Sequence, residues 1–342
     1  MSLPPSEIPQ GAIRFNTDSQ RLEFYAQDQW WVMSTDALNL GRSVNPTPGT
    51  RGVYGGGVQT PTTAGTAIQY INIASTGDAT SFGSLTTGRF RGAGVSDRTR
   101  GVFMGGGTPV RQAVMSFITI ASTGGDTTFG DLVTARSEGA SICNATRGMI
   151  CGGSSPGGVV KIIDYITIQS TGDAKDFGDL KSNTEQSVGV MSPTRGVMTG
   201  GSASGQLIQF ITTATLGDAV DFGTLNVNRR NGAGACNATR GVFMGGYAGG
   251  SPQFATDTEY VTIATTGNAT NFGDITSGTR GCEGVSSPTR AVMSGGQIAP
   301  STNAIATMEY LTIQTEGNMV DFGDLNTSFR DGAGLSNGHG GL

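Results

Sequence analysis

The chain has 342 residues, a formal net charge of −5 and only 14% charged residues, with no Lys/Arg cluster of five or more. That balance offers no basic surface for nucleic acid or anionic lipid. Glycine supplies 56 residues against 12 prolines without a G-X-Y period, which excludes collagen, and an apolar fraction of 36% gathered in short β-type runs speaks against disorder.

The first segment to read as structure is residues 1–36. GAIRF (Gly11–Phe15) and RLEFY (Arg21–Tyr25) alternate like strands around NTDSQ, and AQDQ (Ala26–Gln29) turns the chain into WWVM (Trp30–Met33). This predicts a three-strand meander, too small to stand alone, that holds both tryptophans of the chain. MSLPPSEIPQG carries neither a charged n-region nor an apolar h-region, and no later stretch approaches 18 apolar residues. The reading is no Sec-type signal and no membrane insertion. Residues 37–49 are taken as a linker, with Pro46 and Pro48 poorly suited to a central ladder.

From Thr50 the chain repeats itself. Thr-Arg-Gly or Thr-Arg-Ala, an apolar pair and a Gly-Gly step recur from Thr50, Thr99, Thr146, Thr194, Thr239 and Thr289, at spacings of 49, 47, 48, 45 and 50 residues. A period of that size marks a solenoid or a propeller. Each copy reads as four β-like pieces. In the second they are GAGVS (Gly92–Ser96), RGVFMGGG (Arg100–Gly107), AVMSFITIAS (Ala113–Ser122) and TTFGDL (Thr127–Leu132). The turn before the fourth piece carries Asp78, Asp126, Asp173, Asp218, Asn268 or Asn318, residue types that close side-chain turns. One aromatic column recurs at Tyr70, Phe117, Tyr165, Phe210, Tyr260 and Tyr310, another at Phe82, Phe129, Phe177, Phe222, Phe272 and Phe322. Both are read as core between neighbouring units.

After the sixth copy, GAGLS repeats the first piece. The expectation is therefore an all-β chain whose residues 50–342 form a six-bladed β-propeller, closed by Gly332–Ser336 pairing with the first copy so that no blade edge stays open. Cys143 and Cys236 stand where other copies carry Ser96, Met191 and Ser287, Cys151 where they carry Met104, Thr199, Met244 and Ser294, and Cys282 opposite Gly92. Cysteines that exchange with small or apolar residues are buried thiols rather than a disulfide set, and free thiols fit a reducing cytosol.

The Gly-Gly doublet, the Tyr/Phe of the third piece and the aromatic of the fourth resemble a kelch-type repeat over residues 50–342, with Phe82, Phe129 and their equivalents where that family usually places Trp. The resemblance implies a propeller with the first strand innermost. Gly11 to Trp30 resemble a short module of tail-fibre and other virion structural proteins of tailed bacteriophages, and the TRGVFMGGG style of repeat is similar to virion proteins of phages that infect marine cyanobacteria. Together these resemblances imply a non-enzymatic virion protein assembled in the host cytoplasm and present as a homo-oligomer or in multiple copies. It would be a tail fibre or tail-associated protein, attached to other virion proteins through residues 1–36 and presenting propeller loops to a host-surface glycan. The alternatives are a purely structural neck, adaptor or capsid decoration protein, and a glycan-degrading enzyme.

Attachment falls to Phe15, Phe24, Trp30 and Trp31, since buried aromatics dominate interface energy. The loops between second and third pieces vary most. GYAGGSPQFATDTE (Gly246–Glu259) and QIAPSTNAIATM (Gln297–Met308) stand out, with Tyr247 and Phe254 as contact residues. Arg51, Arg100, Arg147, Arg195, Arg240 and Arg290 recur once per copy. They are read as tying off carbonyls at unit junctions, the other use of such a ring being an anion site. The lone histidine, His339, leaves no His-based metal site and no Ser-His-Asp triad. Glu138, Glu185, Glu283, Glu316 and Asp331 are scattered with no visible pair for glycoside hydrolysis. No catalytic residue, metal or cofactor is expected.

Overall fold

The computed structural model describes residues 8–17, 21–32, 49–60, 63–202, 205–250 and 253–342, divided between two units, Met1–Pro46 and Thr47–Leu342. Apart from Gly49, the linker expected over 37–49 lies outside the described residues. Among those residues every named element is a strand, so the protein is all-β.

In the first unit, β1 (Ile13–Asn16), β2 (Arg21–Ala26) and β3 (Gln29–Val32) form an antiparallel meander. The second turn is closed by Gln27 and Asp28, both at positive φ, the backbone that a two-residue hairpin matching strand twist requires. Ile13 stands opposite Phe24, Phe15 opposite Leu22 and Phe24 opposite Trp31. Because side chains alternate across a strand, these five share one face.

Among the described residues the second unit holds six four-stranded antiparallel sheets. In the second sheet Ala93–Ser96, Arg100–Met104, Val114–Thr119 and Thr127–Asp131 lie side by side in that order. The first strands of the next four sheets are Ala140–Cys143, Ser187–Met191, Ala233–Cys236 and Glu283–Ser286. In the first sheet that place is taken from the end of the chain: Ala333–Ser336 pairs with Arg51–Gly55, Leu335 opposite Val53. The six first strands neighbour one another in a closed order, Glu283–Ser286 returning to Ala333–Ser336 and that strand to Ala93–Ser96.

The repeated residues make the joints. In five sheets the turn carboxamide or carboxylate accepts a backbone N–H from the fourth strand of the sheet before, as Asp173 does from Asp131 at 2.9 Å and Asp78 does from Asp324 at 3.0 Å, while Asp126 accepts from Thr86, just past that strand, at 2.7 Å. Beside it, a Cβ on Gly130 would overlap the carbonyl of Gly172, and the same close approach recurs at Gly83, Gly178, Gly223, Gly273 and Gly323. That crowding is why Phe is followed by Gly in every copy. The Phe column is buried. The Tyr/Phe column is only half-buried, a correction to its reading as core: each ring packs edge-on to the Phe of its own sheet at 5.8–6.2 Å, and an arginine covers its other face.

Candidate functional site

Six residues that precede the first strands, Arg91, Glu138, Gln186, Asn231, Gly281 and Asp331, all have φ between 55° and 66°. Each donates its backbone N–H to the carbonyl of the one before, Glu138 to Arg91, Gln186 to Glu138 and so on, until Arg91 donates to Asp331; the six bonds are 2.6–2.8 Å long. The ring explains the strained backbone. Left-handed φ costs a residue such as Arg or Gln about 1–2 kcal/mol, and the closed ring of hydrogen bonds holds all six in place.

Five of the six side chains form a network at this ring. The Arg91 guanidinium pairs with Glu138 and lies 3.5 Å from the Asp331 carboxylate. Gln186 donates to the other oxygen of Glu138 at 3.1 Å, and Asn231 to Asp331 at 2.8 Å. Arg330 backs Asp331 at 2.8 Å. The network lines a cavity of about 90 Å³ together with the starts of the first strands. Glu283 also faces it. One of its carboxylate oxygens accepts the Gly334 N–H at 3.2 Å, and the other has no hydrogen-bond partner. Burial pushes the Glu283 pKa well above the usual carboxylate range, and burial raises Glu138 as well, against the pull of Arg91. Glu138, Glu283 and Asp331, read from the sequence as scattered, thus meet at one cavity. The sequence signal was there: they are neighbours in repeat phase, not in chain position.

The other ends of the first strands carry a second ring, Ser96, Cys143, Met191, Cys236, Ser286 and Ser336. The sixth copy supplies Ser286, not Ser287, because the Ser286 hydroxyl meets the Cys236 backbone at 2.8 and 3.3 Å. The C-terminal residues close this end. Asn337 bonds the backbone of Arg51, His339 reaches the Ser96 carbonyl at 2.8 Å, and Gly340 and Gly341 press on the carbonyls of Asn237 and Cys143 so closely that a Cβ would overlap them. His339 is buried, and that burial lowers its pKa to about 4.

The residues singled out from the sequence fall elsewhere. The six repeat arginines do not line the cavity. Each donates to a carbonyl of the next sheet, Arg51 to Ile120 at 2.8 Å, Arg147 to Thr213 at 2.8 Å and Arg290 to Ile73 at 3.0 Å among them, with its guanidinium 4.0–5.1 Å from the centre of its own sheet's Tyr/Phe ring. Arg100, Arg195 and Arg240 do the same toward Ile168, Ile263 and Ile313. Tyr247 and Phe254 pair with each other, 6.3 Å between ring centres, and Arg280 sits 5.1 Å over Phe254. Phe254 is only 4% exposed, which corrects its reading as a contact residue; Tyr247 keeps a half-open face beside Arg230.

In the first unit Phe15 (59% exposed), Phe24 (36%) and Trp31 (43%) share the open apolar face with Ile13 and Leu22. Trp30 does not: strand alternation turns it to the opposite face, where it packs on Tyr25 at 5.3 Å beneath Arg14 at 4.1 Å. That face is satisfied, since Arg14 and Asn16 both bind Glu23 and hold its carboxyl below the usual range.

All four cysteines are buried free thiols. Two buried ion pairs, Arg136–Asp164 and Arg229–Glu259, each 3.1 Å, escaped the sequence reading because their partners stand in successive repeats. Among the described residues no His/Cys/Asp/Glu group is arranged to hold a metal ion, and no helix is long and apolar enough to cross a membrane. No protein-family model matches the chain, and no curated protein matches it at significant similarity.

Proposed function

We propose that the chain is a non-enzymatic virion structural protein of a bacteriophage, a tail fibre or tail-associated protein. In this reading residues 50–342 form a six-bladed β-propeller, the N-terminal sheet attaches to another virion protein, and the loops around the Arg91–Asp331 ring face a host-surface glycan. The six sheets, the closed order of their first strands and the six-membered hydrogen-bond ring support the propeller. The observation that carries attachment is the N-terminal sheet: five large apolar side chains on one face, each 36–63% exposed, against an opposite face whose charges are paired. A three-stranded meander with such a face gains its stability by covering it.

The test is particle incorporation of the Phe15→Ser/Phe24→Ser/Trp31→Ser variant. Exposed sites leave the propeller intact, so incorporation falls while the free protein keeps its melting temperature. Unchanged copy number on purified particles overturns the attachment role. Incorporated particles that adsorb normally after the loop face is altered would make the protein a structural joint instead.

A further inference from the structure

We propose that the cavity beneath the Arg91–Asp331 ring binds the ammonium group of an amino sugar, with Glu283 as its counter-charge. The first observation is a pair of departures from the repeat, two residues apart in the same sheet. At the position of Glu283 the other copies carry Ala93, Ala140, Val188, Ala233 and Ala333, all buried. At the ring position the same copy carries Gly281, where the others carry side chains with polar ends. Five copies show that folding asks only for a small apolar residue at the first position. A half-buried carboxylate there, with one oxygen unpartnered at the cavity, is a group that the fold does not require.

The second observation is the charge distribution. Glu138 and Asp331 are each held by arginine and by an amide donor, which leaves neither free for a ligand. Glu283 has no cation among its hydrogen-bond and ion-pair partners, and its carboxyl, with a pKa raised by burial, becomes a counter-charge when a cation sits beside it and holds it ionised. One free carboxylate oxygen suits a single positive charge that donates hydrogen bonds, not a bare metal ion needing several free oxygens. The cavity, about 90 Å³, has room for on the order of six water-sized positions. Its walls are mostly polar, glycine backbone, serine hydroxyls, amides and charged groups, with Ala93, Ala140, Val188 and Ala233 as the apolar part. A lysine side chain would bring a four-carbon stem that seeks apolar cover, whereas a hydroxylated ring finds donors and acceptors in Gln186, Asn231 and the strand backbones. Residues of the C-terminal tail pack against the far end, and in this proposal the ligand approaches Glu283 from the loop side.

This deepens the proposed loop-face recognition and rests on that face being the recognising one. Titration calorimetry of the full chain with glucosamine tests it without particles, so its failure leaves attachment through the N-terminal sheet untouched. Glucosamine is expected to bind and N-acetylglucosamine not to, because acetylation removes the charge. Glu283→Ala, which restores the residue of the other copies and should keep the melting temperature, is expected to weaken binding about tenfold or more, the worth of a charge-assisted hydrogen bond. Gly281→Gln, which fills the empty ring position, should weaken it while leaving Glu283 in place. Absence of glucosamine binding, equal binding of the acetylated sugar, preference for Nα-acetyl-lysine amide, or an unaffected Glu283→Ala variant would each overturn the assignment.

Discussion

In acid His339 should subtract stability from the repeat array, opposite in sign to the carboxyls of Glu138, Asp164 and Glu283, whose pKa values, raised by burial, favour the folded state as pH falls. The His339 Nε2 lies 2.8 Å from the Ser96 carbonyl and so carries the proton, while Nδ1 accepts the Gly341 N–H at 3.1 Å. Both nitrogens of the neutral ring are therefore used. Protonation at Nδ1 would lose the Gly341 bond and bury a charge, and burial is the leading cause of the pKa falling from 6.5 to about 4, with nearby Arg98 adding to it and Asp97 opposing it. The sign follows from proton counting. Between those two values the unfolded chain binds the proton and the folded one does not, so stability falls as pH drops through this window and levels off below about pH 4. At 1.36 kcal/mol per pH unit the full loss is about 3 kcal/mol. His339→Gln keeps a donor for Ser96 and cannot titrate. Urea midpoints followed by far-UV circular dichroism give the comparison, since both tryptophans report only on the N-terminal sheet. Wild type should lose about 3 kcal/mol relative to the variant between pH 6.5 and pH 4. Parallel pH profiles would show that the tail does not hold a neutral histidine.

Three further outcomes follow from the same packing. Asp164→Gln strands the fully buried Arg136 guanidinium and should cost about 3–5 kcal/mol, whereas Arg136→Thr/Asp164→Gln, which copies the Thr184 and Gln209 found in the next repeat, should recover most of it in thermal melts. Burial pushes the thiols of Cys143, Cys151 and Cys282 up to about 12 and raises Cys236, so iodoacetamide at pH 8 should label no cysteine in the native protein and all four in urea, as read by intact mass. Truncation before Ala333 removes the partner of Arg51–Gly55 and bares a strand edge, which should aggregate in size-exclusion chromatography; truncation after Asn337 keeps that strand and should lower the melting temperature without aggregation.

The repeat made the sheets legible. Thr-Arg, Gly-Gly, the turn Asp or Asn and Phe-Gly each turn out to be a contact between one sheet and its neighbour, and a contact that must be made in every copy leaves the same residue in every copy. The meander was legible for a local reason, two hairpins with alternating strands. What escaped was whatever depends on which repeat faces which. Arg136 and Asp164 form a pair only because the fourth strand of one copy leads past the third strand of the next. Trp30 and Trp31 cannot serve one anchor together, because neighbours in a strand place their side chains on opposite faces.

The rings separate two kinds of selection on one backbone. Where the six copies agree, the side chain closes a joint, and any exchange would be felt by two sheets at once. Where they disagree, at Arg91, Glu138, Gln186, Asn231, Gly281 and Asp331, the backbone still makes the same six hydrogen bonds, so the fold asks nothing specific of the side chain beyond tolerance of left-handed φ. Glycine would satisfy that condition at every copy with less strain, yet only the sixth has it. Five polar side chains at a conformational cost bond to each other across five sheets around one cavity, and in the reading proposed above that network frames a recognition site. The same holds for Glu283 against its five apolar equivalents. In a repeat chain the departures from the repeat, rather than its most constant residues, are where recognition chemistry is to be sought.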